Sequence, residues 1–182
     1  ATVNSKFFFL FFIGIIDSFN IIHNIMYEEI SAFFTVEMIY FWLSFGVLPF
    51  WLILIFFPQS KVCGLFATSI FPFLILGSVY IYLVYYFFST GYDFSENFNL
   101  YLGIYDLINL FENEAFLMLI WTHFLAINLF CAAWIVRDSQ KYLMSKYLNI
   151  IPLIITYFAG PVGVILYWII RIFFAKKISL FD

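Results

Sequence analysis

AFLMLIWTHFLAINLFCAAWIV, residues 115 to 136, is an uncharged run of 22 residues that closes on Arg137-Asp138. About 20 helical residues cross the hydrocarbon core of a bilayer, so the run predicts a membrane-spanning helix. Inside it stand one histidine, His123, and one asparagine, Asn128. A polar side chain at that depth must find a partner or lose several kcal/mol, which makes these two the first candidates for function.

Working outward, residues 38 to 60, 62 to 92 and 147 to 170 are also free of charge and long enough to cross. The segments of about ten alternating apolar and polar residues that mark a membrane β-barrel are absent. The expected fold is therefore all-α: a polytopic bundle of four transmembrane helices, at about 38–58, 64–89, 115–137 and 148–174, with an amphipathic N-terminal helix before them. Composition agrees, since 65% of the 182 residues are hydrophobic and only 10% charged, against about 25% charged in a soluble domain. With no linker-like stretch, the division is a 1–36 extension, a 37–175 membrane domain and a 176–182 tail.

Several functions are excluded. The net charge of −3 comes with no basic stripe, which rules out nucleic-acid binding. Cys63 and Cys131 sit in or beside apolar runs without CxxC spacing and read as buried thiols. Two histidines, His23 and His123, cannot build a many-histidine iron site, and a bis-histidine haem would need both on facing helices at one depth. No phosphate loop, nucleophile elbow or HExxH is present. No metal and no cofactor are expected; the ligand class left open is a bound carotenoid or lipid.

Within the runs, Pro49 predicts a kink in the first span and Pro58 its end. Gly77-Ser78 in the second span offers small residues for close helix approach, while Tyr80, Tyr82, Tyr85 and Tyr86 gather toward its far interface. Gly160-Pro161 and Gly163 break the last run, either as a packed kink or as a discontinuity lining a ligand. The loop between spans two and three holds Asp93, Glu96, Asp106, Glu112 and Glu114 with no Lys or Arg, and so predicts the translocated side. Lys61, Arg137, Lys141 and Lys146 mark the opposite side, where Lys176 and Lys177 do not fall under four crossings. In the acidic loop Leu100, Ile104, Leu107, Ile108 and Phe111 predict a short helix on the membrane surface. In the N-terminal extension Asp17, Asn20, Asn24, Glu28 and Ser31 form one polar stripe of a helix. A polar fifth span from about Phe7 to Tyr27 is the alternative there. Lys6 with FFFLFFIGII has the basic start and apolar core of a secretory signal, but DSFNIIHN is a poor cleavage site.

His123 and Asn128 lie five positions apart, about 140° around a helix, and so face different neighbours. His123 shares its face with Ile127, Phe130 and Trp134; Asn128 shares its face with Trp121 and Leu125. A single interhelical hydrogen bond, worth about 0.6 to 2 kcal/mol, is the structural reading of each. The functional reading makes His123 a proton-transfer group and Trp121, Asn128 and Trp134 ligand contacts. The aromatic excess suggests pigment binding, although lipid-facing Phe and interfacial Tyr and Trp account for most of it.

Leu48-Pro49-Phe50 in VLPFWLILIFFPQS, Trp121-x-His123 in WTHFLAINLFCAAWIVRDSQ, the Arg137-Asp138 that closes that run, and Gly160-Pro161-x-Gly163 in FAGPVGVILYWIIR stand in the order and spacing of a known family. Over about residues 38 to 172 the chain resembles the abscisic-acid-deficient-four family. The resemblance implies four spans and, from plant members implicated in neoxanthin synthesis, an isomerisation. The 5,6-epoxide of violaxanthin opens, the polyene loses a proton, and an allene forms with no net redox change. That needs an acid at the epoxide oxygen and a base at carbon, and no cofactor. By the same resemblance His123 moves the proton, and Trp121 and Trp134 flank the polyene. The family pattern has an aspartate where this chain has Asn128, which exchanges no proton at neutral pH. The leading expectation is accordingly a non-catalytic accessory or scaffold subunit of a larger energy-converting complex, respiratory or photosynthetic. It would contribute helix packing and lipid or pigment contacts, with membrane lipids and other membrane subunits as partners, in a thylakoid, plastid or mitochondrial inner membrane. The alternative is a carotenoid-epoxide isomerase resembling neoxanthin synthase; a small transporter is a third reading, resting on the broken last run.

Overall fold

The computed structural model describes residues 34–176. His23, the polar stripe from Asp17 to Ser31, the alternative span Phe7 to Tyr27 and the tail beyond Lys176 lie outside the described residues. The chain divides into two units, Ala1–Trp42 and Leu43–Asp182. In the described part of the first, the Thr35 hydroxyl accepts the Met38 N–H at 3.3 Å and so opens a helix, and Phe41 meets Trp42 edge to face.

The described residues form helices joined by short turns and contain no strand. The elements are α1 (Val36–Gly46), α2 (Leu48–Phe56), a π-helical turn (Cys63–Ala67), α3 (Phe71–Ser89), a 3-10 helix (Phe94–Tyr101), α4 (Ile104–Glu112), α5 (Glu114–Lys141), α6 (Lys146–Phe158) and α7 (Gly160–Ala175). Three stretches are long and apolar enough to cross a membrane: Val36–Phe56, Cys63–Ser89 and Glu114–Lys141. They are the first three spans expected from the sequence.

Local chemistry sets their joints. Pro49 has no N–H, so the carbonyl of Phe45 loses its donor and the helix restarts after Val47 with the proline in its first turn. At the start of α5, the Asn113 side chain accepts the N–H groups of Ala115 and Phe116 at 2.9 and 3.3 Å. Glu114 in its first turn and Lys141 in its last complement the helix dipole. The far end closes in a Schellman motif. Met144 N–H bonds to Ser139 O and Leu143 N–H to Gln140 O, with Leu143 at φ 51° where glycine is usual. One expectation fails in α3: a β-carbon added at Gly77 would meet nothing within 4 Å, so the Gly77-Ser78 pair marks no close approach. Ser78 instead bonds back to its own helix at Leu74 O.

The expected fourth span at 148–174 is corrected. It is two helices of 13 and 16 residues, α6 and α7, broken at Ala159 with φ −144° and ψ 74°. At 1.5 Å per residue they are about 20 and 24 Å long, short of the ~30 Å core. They also double back. A β-carbon on Gly163 would lie 2.6 Å from Pro152 O, so the first turn of α7 runs beside the body of α6. Further along α7, Tyr167 and Arg171 reach Asp138, Tyr142 and Met144, which precede α6. Helices α6 and α7 therefore form a hairpin that enters and leaves at one end of the bundle.

That reversal sorts the charges. Lys61, Arg137, Lys141, Lys146, Arg171 and Lys176, every Lys and Arg among the described residues, stand at the hairpin's open end. There Gln140 Nε2 also ties α5 to the end of α2 through Pro58 O at 2.6 Å. The acidic loop occupies the other end. Its Asp93 caps the 3-10 helix, and hydrogen bonds from the Ser95 hydroxyl and N–H hold that carboxyl below its ordinary range. In α4, Ile104, Tyr105, Ile108 and Phe111 are exposed while Leu110 is buried, as a helix lying on lipid requires.

Candidate functional site

The four sequence candidates, Trp121, His123, Asn128 and Trp134, all lie on α5, but the fold does not bring them together. Trp121 donates from Nε1 to Ser44 Oγ at 3.1 Å and stacks on Phe124. His123 was expected to be lodged among neighbouring helices; it is exposed, on the outward stripe it shares with Ile127 and Phe130. The reason is phase: the buried face of α5 runs through Leu119, Thr122, Leu125, Asn128, Leu129, Ala132 and Ala133, and position 123 falls opposite.

Asn128 is buried, 3% exposed, and sits at the tip of the hairpin. Pro161 cannot donate, which orphans the carbonyl of Tyr157 four residues earlier; Asn128 Nδ2 supplies that donor at 3.4 Å. Gly160 lets the tip in, because a β-carbon there would overlap Asn128 Oδ1. Tyr157 is braced edge-on by Trp51 at 5.2 Å. Asn128 thus supplies a hydrogen bond to a helix end. Sequence reading anticipated the single interhelical bond, and the fold adds why the acceptor is available.

The polar centre of the bundle lies ten residues further along α5, about 15 Å nearer the hairpin's open end. Arg171, 1% exposed, donates from Nε to Asp138 Oδ2 at 2.6 Å and from Nη2 to Oδ1 at 3.5 Å. Tyr167, fully buried, donates its hydroxyl to the same Oδ2 at 2.6 Å. The Nη2 also donates to Tyr142 Oη at 3.0 Å, and the guanidinium lies 4.8 Å over the Tyr142 ring and 5.5 Å over that of Trp168. Trp134 completes the group, stacked on Trp168 at 5.9 Å and edge-on to Tyr167 at 5.6 Å. A paired charge, two phenols and two half-buried indoles thus share one corner, where protons have donors and acceptors within hydrogen-bond reach.

Of this corner the sequence offered Trp134 as a candidate contact and Asp138 only as part of the motif that closes a run. Asp138 read as the end of a span and Arg171 as the end of another, 33 residues away. The signal that pairs them was present: a Gly160-Pro161 break in mid-run, and lysines at 176 and 177 on the wrong side of a four-crossing bundle. A hairpin resolves both. Among the described residues no group of three or more His, Cys, Asp or Glu is placed to hold a metal ion.

Fold and site define the class: a polytopic, all-helical membrane protein with three long apolar helices and a doubled-back hairpin clasped by a buried ion pair. Within that class the chain belongs to the ABA DEFICIENT 4-like family, whose model matches residues 38–167. It is similar to Protein ABA DEFICIENT 4, chloroplastic, of Arabidopsis thaliana, with 28% identity over 105 residues. That match covers 53% of this chain and 44% of the Arabidopsis protein, so the chain spans less than half the length of that relative. No solved structure matches the chain.

Proposed function

We propose that this protein isomerises a carotenoid epoxide within a plastid membrane, without a cofactor. The observation that carries the reading is the family match across 38–167, which takes in the three long helices and most of the hairpin. The chloroplastic relative supports the plastid over the mitochondrial inner membrane. The fold adds a buried group of proton donors and acceptors beside paired indoles. Its two indoles, Trp134 and Trp168, are half-buried and so partly reachable from outside the bundle. Membrane lipids are the proposed surroundings and the xanthophyll the proposed ligand.

The accessory-subunit reading rested on the lost acid at position 128, the near absence of large soluble loops and a polar-striped N-terminal extension that lies outside the described residues. Asn128 gives its amide N–H to a helix end, and the isomerase reading assigns proton transfer to other residues. Exposed Phe, Ile and Leu on every long helix are what a lipid-facing surface requires, and favour no protein partner.

The test is direct. The purified chain, reconstituted into liposomes loaded with violaxanthin, should accumulate an allenic isomer of unchanged mass, without nucleotide or redox cofactor. Pigment recovered unaltered would sink the reading; retention in a larger assembly from native membranes would then favour the accessory role.

A further inference from the structure

We propose that Tyr142 is the proton-transfer residue of this isomerisation, with Arg171 and Asp138 as its positioning residues, and that the oxygenated end ring of the substrate seats against Trp134 and Trp168. The inference rests on the isomerase reading and adds the place and the groups.

Depth is the first argument. A xanthophyll carries its oxygens on its end rings, and an oxygen buried in hydrocarbon without a partner is costly, so the rings seat at the two interfaces and the polyene fills the core. The epoxide belongs to a ring. His123 lies 15 residues from Asp138, about 22 Å along α5, near the middle of the apolar run, where it would face polyene and no epoxide. Tyr142 is the residue on which α5 ends, half-buried at the open end of the hairpin.

Charge is the second. When a phenol protonates an epoxide oxygen, negative charge develops on its own oxygen, and fixed donors aimed there stabilise that state. Arg171 Nη2 donates to Tyr142 Oη at 3.0 Å, and Lys141 Nζ lies 5.7 Å over the same ring. Asp138 holds the guanidinium in this pose through two bonds. At the opposite interface Tyr92 is hydrogen-bonded to Asn97, and the charged residues of that loop are carboxylates. Nothing on that loop offsets a phenolate.

The step balances. The Tyr142 hydroxyl gives its proton to the epoxide oxygen as the ring C–O bond breaks, leaving an alcohol and an allylic cation delocalised along the polyene. The phenolate then takes a proton from the adjacent polyene carbon, that C–H pair forms the second double bond of the allene, and Tyr142 is restored. No electrons are gained or lost.

In violaxanthin liposomes, Tyr142→Phe is expected to elute in detergent like the wild type and retain pigment, while converting it about 100-fold more slowly or worse, the usual contribution of a general acid. Conversion by Tyr142→Phe at the wild-type rate, with or without a loss in His123→Ala, would overturn the assignment and leave the isomerase standing. If Tyr142→Phe lost pigment and conversion together, Tyr142 would be a binding residue and the acid role would fall. A wild-type chain that forms no allene overturns the isomerase reading, and this assignment with it.

Discussion

At position 171 an arginine is 1% exposed in a chain with only eight Lys and Arg, and its burial is tolerable because its charge is paired and hydrogen-bonded. Asp138 takes two of its bonds and Tyr142 a third, while Trp168 covers its plane. Breaking a buried pair from one side leaves the other charge uncompensated, at a cost of about 3 to 5 kcal/mol, whereas replacing both partners with apolar groups of similar volume is often neutral. Arg171→Met should therefore lower the unfolding midpoint in detergent sharply, and adding Asp138→Leu should recover much of the loss. If the double variant were as unstable as the sum of the two singles, the pair would not be acting as a unit. Tyr167 guards this inference, because its hydroxyl also needs Asp138. A Tyr167→Phe background removes that orphan and should improve the recovery further.

At the scale of one element, the hairpin depends on how closely α7 can lie on α6, and that is decided by glycines. A β-carbon at Gly163 would overlap Thr156 Oγ1 and meet backbone atoms at 2.5 and 2.6 Å, which cannot swing aside. Gly163→Ala should cost about 1 to 3 kcal/mol through overpacking. Gly77→Ala in α3 meets open space and should be neutral or stabilising by up to about 1 kcal/mol, from helix propensity. Thermal unfolding of the two variants in one detergent checks the contrast; equal effects would mean that the two helices do not lie as described. The same two glycines show what the sequence could tell. Composition, run length and Pro49 made three spans and their joints legible, because hydrophobicity and a missing N–H act locally. Whether a glycine in an apolar run marks a contact depends on which residue faces it, and that is set by tertiary packing. So Gly77 was overread and Gly160-Pro161 underread, as a kink or a ligand-lining discontinuity instead of a reversal. The exposure of His123 was hidden for a related reason: the run fixed its depth, but its face followed from the phase of neighbours on other helices.

Over the whole molecule the reversal changes the count of crossings and hence the side on which the chain's later part emerges. Four crossings would put Lys176 opposite Lys146; three crossings and a hairpin put them together, with all six described Lys and Arg at one end and the acidic loop at the other. Among the described residues the positive-inside rule then holds without the exception that Lys176 made under four crossings. Single cysteines test this in a background lacking Cys63 and Cys131. Leu143→Cys, at the 92% exposed turn between α5 and α6, and Lys176→Cys, at the left-handed C-cap of α7, mark the two ends of the hairpin. Glu96→Cys marks the acidic loop. In sealed vesicles of one orientation, a membrane-impermeant maleimide should label 143 and 176 from the same side and 96 only from the other. Labelling of 143 and 176 from opposite sides would make 148–174 a true crossing. That would separate Arg171 from Asp138 by the thickness of the bilayer and dissolve the corner on which the proposed chemistry depends.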